Sequence, residues 1–453
     1  MPCSRILLRV CGCWLIWVLV LGCSDSVQDP GNDSVYATEA PMNLVVIVLD
    51  AARADHFGSY GYARNTTPNA DAFAADATRY AHVRAEAPYT FLSTSTLFMG
   101  ASPDITGLGA RTGGRVPESM ELLSEQARDA GFRTFGYSEN PYVTRYFGLA
   151  QGFDVFEEAY PTEALEAGRE LSPDIDSAGR LAAMIDRASQ GEAPFLFYAH
   201  LLRPHNPYLP PPPHAGLFGS GASDRGLGST SSLVTLNRRG PPYTADVIER
   251  IVALYDENLS FGDALFGGVL DALAAVGIAD RTVVVLTADH GEGFAETGAL
   301  LHSTRLDDAM LRVPLVVRVP GESPGVESIP IQLEDLGRGL RRFVAGDSPA
   351  TLTRLGAGRD SGRPLVSWTN ARTGWIAAWT PERRVVIDAR TQKFIRVEDA
   401  MGAEYPPDDE ARALRRLLVS RVADWVGTTP ASAEPPLDAT RLKQLEALGY
   451  IVP

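Results

Sequence analysis

Unbroken apolar runs punctuate the chain, and turn-forming or charged residues close them. The first is Asn43–Asp50, in which Leu-Val-Val-Ile-Val-Leu ends in a carboxylate. A continuous β-branched run suits a strand buried on both faces of a parallel sheet. Similar runs recur at Arg133–Tyr137, Phe195–Ala199, Thr282–Thr287 and Leu315–Val319. Helical spacing separates several of them, at Ser119–Ala130 and at least once within Ala245–Val276. This alternation predicts an α/β fold, a mostly parallel sheet sandwiched by helices.

The texture changes after about residue 345. Val366–Trp368, Trp375–Trp379, Arg384–Asp388 and Phe394–Val397 are short, turn-separated and tryptophan-bearing. They predict a small C-terminal antiparallel sheet, with an amphipathic helix near Glu410–Val426 packed on it. Upstream, Pro210–Pro213 leads into a Gly/Ser-rich stretch over about 216–240, expected to be a long surface loop near a site. No internal repeat is visible.

Composition adds an export reading. Residues 1–22 combine a basic start (Arg5, Arg9) with an apolar run from Val10 to Gly22, as in a secretory signal. All four cysteines lie at positions 3, 11, 13 and 23, so no disulfide or cysteine nucleophile can form beyond Cys23. Val20-Leu21-Gly22-Cys23 resembles a bacterial lipobox, which makes Cys23 the lipid-anchored first residue of an exported cell-envelope lipoprotein. An uncleaved N-terminal anchor is the other reading. The expected organisation is a signal peptide over 1–22, a linker over 23–42, a catalytic domain over 43–345 and a C-terminal subdomain over 346–453. The formal net charge of −15 argues against nucleic acid as a partner.

In open parallel sheets, ligands are held at the C-terminal ends of strands. Asp50 closes the first apolar run, and Asp289-His290 follows the run at 282–287. Carboxylates and an imidazole so placed suit a hard or borderline metal ion. A loop-capping role for the acids is the plain alternative. His200 and His205 leave another run and enter a proline-stiffened loop, and His302 follows the Asp-His segment. Arg53 and Asp55 are expected to pair across a turn. His56, His82 and His214 read as structural or solvated. Trp375 and Trp379 share a strand face, as core or as a platform for a leaving group.

These residues fall in an order that resembles the sulfatase family of the alkaline phosphatase superfamily. The segments that carry the resemblance are Asn43–Tyr62, Thr67–Asp71, Ala87–Gly100, His200–Tyr208, Thr287–Glu292 with His302, Leu311–Leu315 and Leu445–Ile451. The resemblance implies an alkaline phosphatase/sulfatase-like fold, with Asp50, Asp289 and His290 as metal ligands. Thr90 then takes the nucleophile position, and His200, His205 and His302 contact the ester oxygens or protonate the leaving group. The departures matter as much. The family's nucleophile motif is Cys/Ser-x-Pro-Ser-Arg, and its first residue becomes formylglycine. Here Thr90-Phe-Leu92-Ser-Thr94 stands in that place, and Ala51 replaces a common second acid. Oxidised threonine would be a ketone, so no formylglycine is expected. A metal-activated threonine remains a competent nucleophile.

The implied function is hydrolysis of a sulfate, phosphate or phosphonate ester by Thr90 with one divalent ion, Ca, Mn or Zn. The substrate would be a small-molecule, glycan or lipid ester. A binding protein with a decayed site and a phosphoryl or headgroup transferase are the alternatives.

Overall fold

The computed structural model describes residues 42–109, 114–160, 176–221, 224–358, 363–369, 374–399, 401–427 and 439–448. The expected leader, the anchoring Cys23 and the linker up to residue 41 lie outside the described residues. The strands are β1 (Asn43–Leu49), β2 (Thr78–Tyr80), β3 (Val83–Arg84), β4 (Arg133–Ser138), β5 (Val155–Glu158) and β6 (Phe195–Leu201). They continue with β7 (Thr282–Thr287), β8 (Gly293–Phe294), β9 (Leu300–Leu301), β10 (Leu315–Arg318), β11 (Gly325–Glu327) and β12 (Ile331–Gln332). The last four are β13 (Leu365–Trp368), β14 (Trp375–Trp379), β15 (Arg383–Asp388) and β16 (Phe394–Asp399).

Eight of these form one sheet in the order β11-β2-β10-β7-β1-β6-β4-β5. The ladders β7-β1-β6-β4-β5 are parallel, whereas β10 runs antiparallel to both β7 and β2. Every residue of β1, β6 and β7 is buried. Both faces of the sheet centre are therefore covered, which is why these strands read as unbroken apolar runs rather than alternating ones. The helix Ser177–Ser189 packs on the long helix Ala245–Ala275 and on β4 and β6. The helix Leu333–Val344 packs on the helix Thr90–Met99.

The register aligns the strand ends that matter. Val48 pairs with His200 across β1 and β6, and with Thr287 across β1 and β7. Asp50, His200 and Asp289 therefore leave the sheet at one edge, the C-terminal edge of three adjacent strands.

β13–β16 form an antiparallel sheet, and the helix Asp409–Gly427 lies on β14 and β15. Trp368 of β13 meets Trp425 of that helix edge to face at 4.7 Å. Trp368, Ile376, Val385 and Ile387 belong to the same apolar core as β1.

Two expectations change. The stretch 216–240 is not loop throughout, because Thr230–Arg239 is a helix with Ser229 accepting from Ser232 N as its cap. Leu233 is buried in this helix, so three-residue apolar spacing with Leu236 outweighed the Gly/Ser composition. The helix expected at Ser119–Ala130 is shorter, Leu123–Asp129, and Leu122 N donates to Glu125 at its start.

Candidate active site

The turn after β1 is built to aim Asp50. Its backbone N–H bonds Leu201 O of β6, and its carbonyl accepts from His205 N. Ala51 follows with φ 60°, a left-handed conformation that is costly for a residue with a Cβ. The turn is held by Tyr255 of the long helix, whose hydroxyl donates to Ala51 O and accepts from Arg53 N. Across the edge, Asp289 Oδ1 accepts from the backbone N–H groups of Ala51 and His290.

Each carboxylate thus has one oxygen tied and one aimed inward. Asp50 Oδ2 accepts from Asn140 Nδ2 at 2.5 Å. Asp50 Oδ1 and Asp289 Oδ2 are buried and have no hydrogen-bond partner among the described residues. They lie 3.6 and 3.5 Å from His290 Nε2. His290 Nδ1 is bound to Gly291 O at 2.8 Å, so this nitrogen carries the hydrogen and Nε2 presents a lone pair. Burial pushes the His290 imidazole down to about 3, which keeps it neutral. Burial raises both carboxyls, and the pair raises Asp50 further by mutual repulsion.

Two inward carboxylate oxygens without partners among the described residues, beside a neutral imidazole nitrogen, fit a divalent cation. Asp50, Asp289 and His290 offer atoms all within 4.8 Å of one another. Separations of 3.5–3.6 Å are those of ligands standing about 2.0–2.6 Å from one ion.

Thr90 opens the helix Thr90–Met99 and is fully buried. Its Oγ1 lies 3.3 Å from His290 Nε2 and 3.3 Å from Asn140 Nδ2. His200 Nε2 approaches Asp50 at 3.3 Å and Asp289 at 3.8 Å, while its Nδ1 meets the Tyr198 hydroxyl at 2.8 Å.

His205 and His302 meet Nε2 to Nε2 at 2.9 Å. His205 Nδ1 donates to Asn206 O, so its Nε2 is an acceptor. His302 Nδ1 lies 2.9 Å from Ser303 Oγ and 3.1 Å from Pro88 O. Pro88 O can only accept, so His302 Nδ1 donates to it, and the 2.9 Å contact between the two Nε2 atoms is one that a single added proton would bridge. Burial lowers both imidazoles, His302 repels a charge on His205, and His290 repels one on His302. The His290 and His302 rings stand 4.3 Å apart, which joins the histidine pair to the carboxylate cluster.

All seven residues singled out in the sequence therefore meet in one buried place. A sequence model of the family described as Sulfatase matches residues 42–340. The chain belongs to the sulfatase family. Among its relatives, the ulvan-active sulfatase of Formosa agariphila is 22% identical over 67% of this chain and 60% of its own length. The human iduronate 2-sulfatase is 21% identical over 97% of this chain and 88% of its own. Among solved structures, phosphonate monoester hydrolase of Agrobacterium radiobacter shares the fold. Its TM-score is 0.65 at 17% identity, over 86% of this chain and 96% of that one.

Other side chains of this sulfatase-family chain serve the frame. Arg53 pairs with Asp55 at 2.8 Å, as expected, and also reaches Glu296 and Glu292 O. His56 is buried against Asp256 at 2.6 Å, and Asp256 also accepts from Tyr62 and Arg64. His214 bonds Ser260. Trp379 is buried beneath the guanidinium groups of Arg84 and Arg384, 4.4 and 4.9 Å from its ring, which makes it core. Trp375 is half-buried with Arg305 over its ring at 5.5 Å.

Asn140 was not singled out in the sequence. It lies two residues past β4, and the strand-end rule that selected Asp50 and Asp289 points to its position as well. No acid–histidine pairing marked it.

Proposed function

We propose that this chain is a metal-dependent hydrolase of sulfate, phosphate or phosphonate esters that uses Thr90 as its nucleophile. The observation that carries the reading is the position of Thr90 Oγ1, 3.3 Å from His290 Nε2 beside two inward carboxylate oxygens without partners among the described residues. Asp50, Asp289 and His290 would hold the ion, which when bound supplies a Lewis acid for the ester oxygen and for Thr90. The start of the helix Thr90–Met99 places backbone N–H groups and the positive end of its dipole beside the incoming anion.

The residues divide the work. Thr90 attacks in line and gives its proton to water. An anionic ester brought against His205 and His302 favours a protonated pair, and the departing oxygen takes that proton. Water then attacks the Thr90 ester, since threonine has no aldehyde route for expelling the group.

The names of the two relatives, an ulvan-active sulfatase and an iduronate 2-sulfatase, make glycan sulfates a class to test beside aryl phosphates and phosphonates. We also hold that the chain is exported and anchored by lipid on Cys23. The basic start and apolar run of residues 1–22 support this. Palmitate labelling of the wild type, lost in Cys23→Ser, is the expected result.

For the activity, purified protein is assayed with aryl sulfate, aryl phosphate, phosphate diester, phosphonate monoester and glycan sulfate, with Mn, Zn or Ca. Thr90→Ala should lower kcat at least about 10³-fold while retaining its metal by elemental analysis. Equal activity in Thr90→Ala sinks the nucleophile role. Wild-type protein that binds no metal and turns over no ester supports the binding-protein alternative.

A further inference from the structure

We propose that Asn140 is a further catalytic residue, the neutral donor that stabilises negative charge on Thr90 Oγ1 each time that oxygen carries it. The inference rests on Thr90 being the nucleophile and goes beyond it by naming what makes the oxygen reactive.

The geometry begins with the backbone. Asn140 N donates to Ser138 Oγ at 3.1 Å, and Ser138 Oγ donates to Asn140 O at 3.2 Å, so the turn after β4 is clamped by a hydroxyl of that strand. The amide orientation is then fixed from both ends. Oδ1 accepts from Tyr142 N at 2.7 Å, and Nδ2 faces a carboxylate oxygen of Asp50 at 2.5 Å. A flipped amide would set N–H against N–H at one end and oxygen against carboxylate at the other. Nδ2 is therefore a donor, and Thr90 Oγ1 is also 3.3 Å from it. The residue is 1% exposed, so its hydrogen bonds face little competition from water.

A donor on the nucleophile's own oxygen has two uses in one turnover. In the first half, the Thr90 proton passes to water and the bond from Oγ1 to phosphorus or sulfur forms. The bond to the leaving oxygen breaks, and that oxygen keeps the electron pair and takes a proton from the His205–His302 pair. Asn140 bonds Oγ1 while its negative charge develops. In the second half, water attacks and loses a proton to the histidine pair, the Oγ1 ester bond breaks, and Oγ1 leaves with the pair. Asn140 stabilises that leaving alkoxide, which then recovers a proton from water. Asn140 itself exchanges no atom.

The test uses the full chain, the metal that supports wild-type turnover and aryl phosphate or phosphonate esters of graded leaving-group pKa. Asn140→Ala and Asn140→Ser should each lower kcat about 10²-fold, with KM within about twofold. The loss should be constant across leaving groups, because Asn140 acts on Oγ1. His205→Ala should lose most on the poorest leaving groups. Wild-type kcat in both variants overturns the proposal. Loss of bound metal with full rescue by excess metal also overturns it, leaving Asn140 a brace for Asp50. Those results with an inactive Thr90→Ala sink the Asn140 role alone. An active Thr90→Ala sinks the nucleophile reading beneath it.

Discussion

Asp50 and Asp289 are both buried, and each turns one oxygen without a partner toward the other's neighbourhood. Two carboxylates so close cannot both ionise without a cation, which is why burial and mutual repulsion push Asp50 well above the usual carboxylate range. Asp289→Asn removes one charge and supplies an amide donor. Metal-free Asp289→Asn should therefore be more stable than metal-free wild type at pH 7, by about 1–2 kcal/mol. With excess metal the order should reverse, because only the wild type gains binding free energy. Thermal melts with and without chelator check both halves. A wild type that is the more stable of the two even after chelation would show that the carboxylates are not frustrated.

Among the elements, the long helix Ala245–Ala275 does more than cover the sheet. Its Asp263 accepts from Asn69 N, Asn69 Nδ2 and Ala70 N, and so caps the helix Pro68–Ala75. Burial nevertheless raises Asp263 to about 6. A raised carboxyl contributes stability that is fully present below the unfolded value near 3.8 and is lost as pH rises through about 6. The shift corresponds to roughly 3 kcal/mol. Asp263→Asn should abolish that part of the pH dependence, so the stability difference between wild type and variant should narrow or widen only between about pH 4 and 6. Urea melts of both proteins across that range measure it, and a constant difference would refute the shift. A second element-level constraint fixes the nucleophile. A Cβ on Gly337 would sit 2.3 Å from Leu97 O, so the helix Leu333–Val344 touches the backbone of the Thr90 helix directly. Gly337→Ala should cost about 1–3 kcal/mol and lower kcat by displacing Thr90, with metal content unchanged by elemental analysis.

At the scale of the whole molecule, the C-terminal sheet shares one apolar core with the main sheet. In protein prepared without residues 1–22, which hold Trp14 and Trp17, the tryptophans are Trp368, Trp375, Trp379 and Trp425, all in this C-terminal part. Tryptophan fluorescence therefore reports the C-terminal part, and far-UV circular dichroism reports every element. The two unfolding curves should coincide if the shared core couples them. Separate midpoints would make 346–453 an independently stable unit.

The residue types at the site were legible because local sequence dictates them. Asp50 and Asp289-His290 stand where buried strands end, and buried strands announce themselves as apolar runs. The α/β class and the strands of the C-terminal sheet were legible for the same reason. The helix Thr230–Arg239 was obscured by Gly/Ser composition, although Ser229 and Leu233 carried its cap and its buried face. Tertiary structure alone decided what faces what. The register of β1 between β6 and β7 put Asp50, His200 and Asp289 at one edge. Chain separations of 50 and 97 residues closed onto Thr90–Asn140 and His205–His302 contacts. Local propensity cannot encode such pairings, because they are set by which strands the shared core brings side by side.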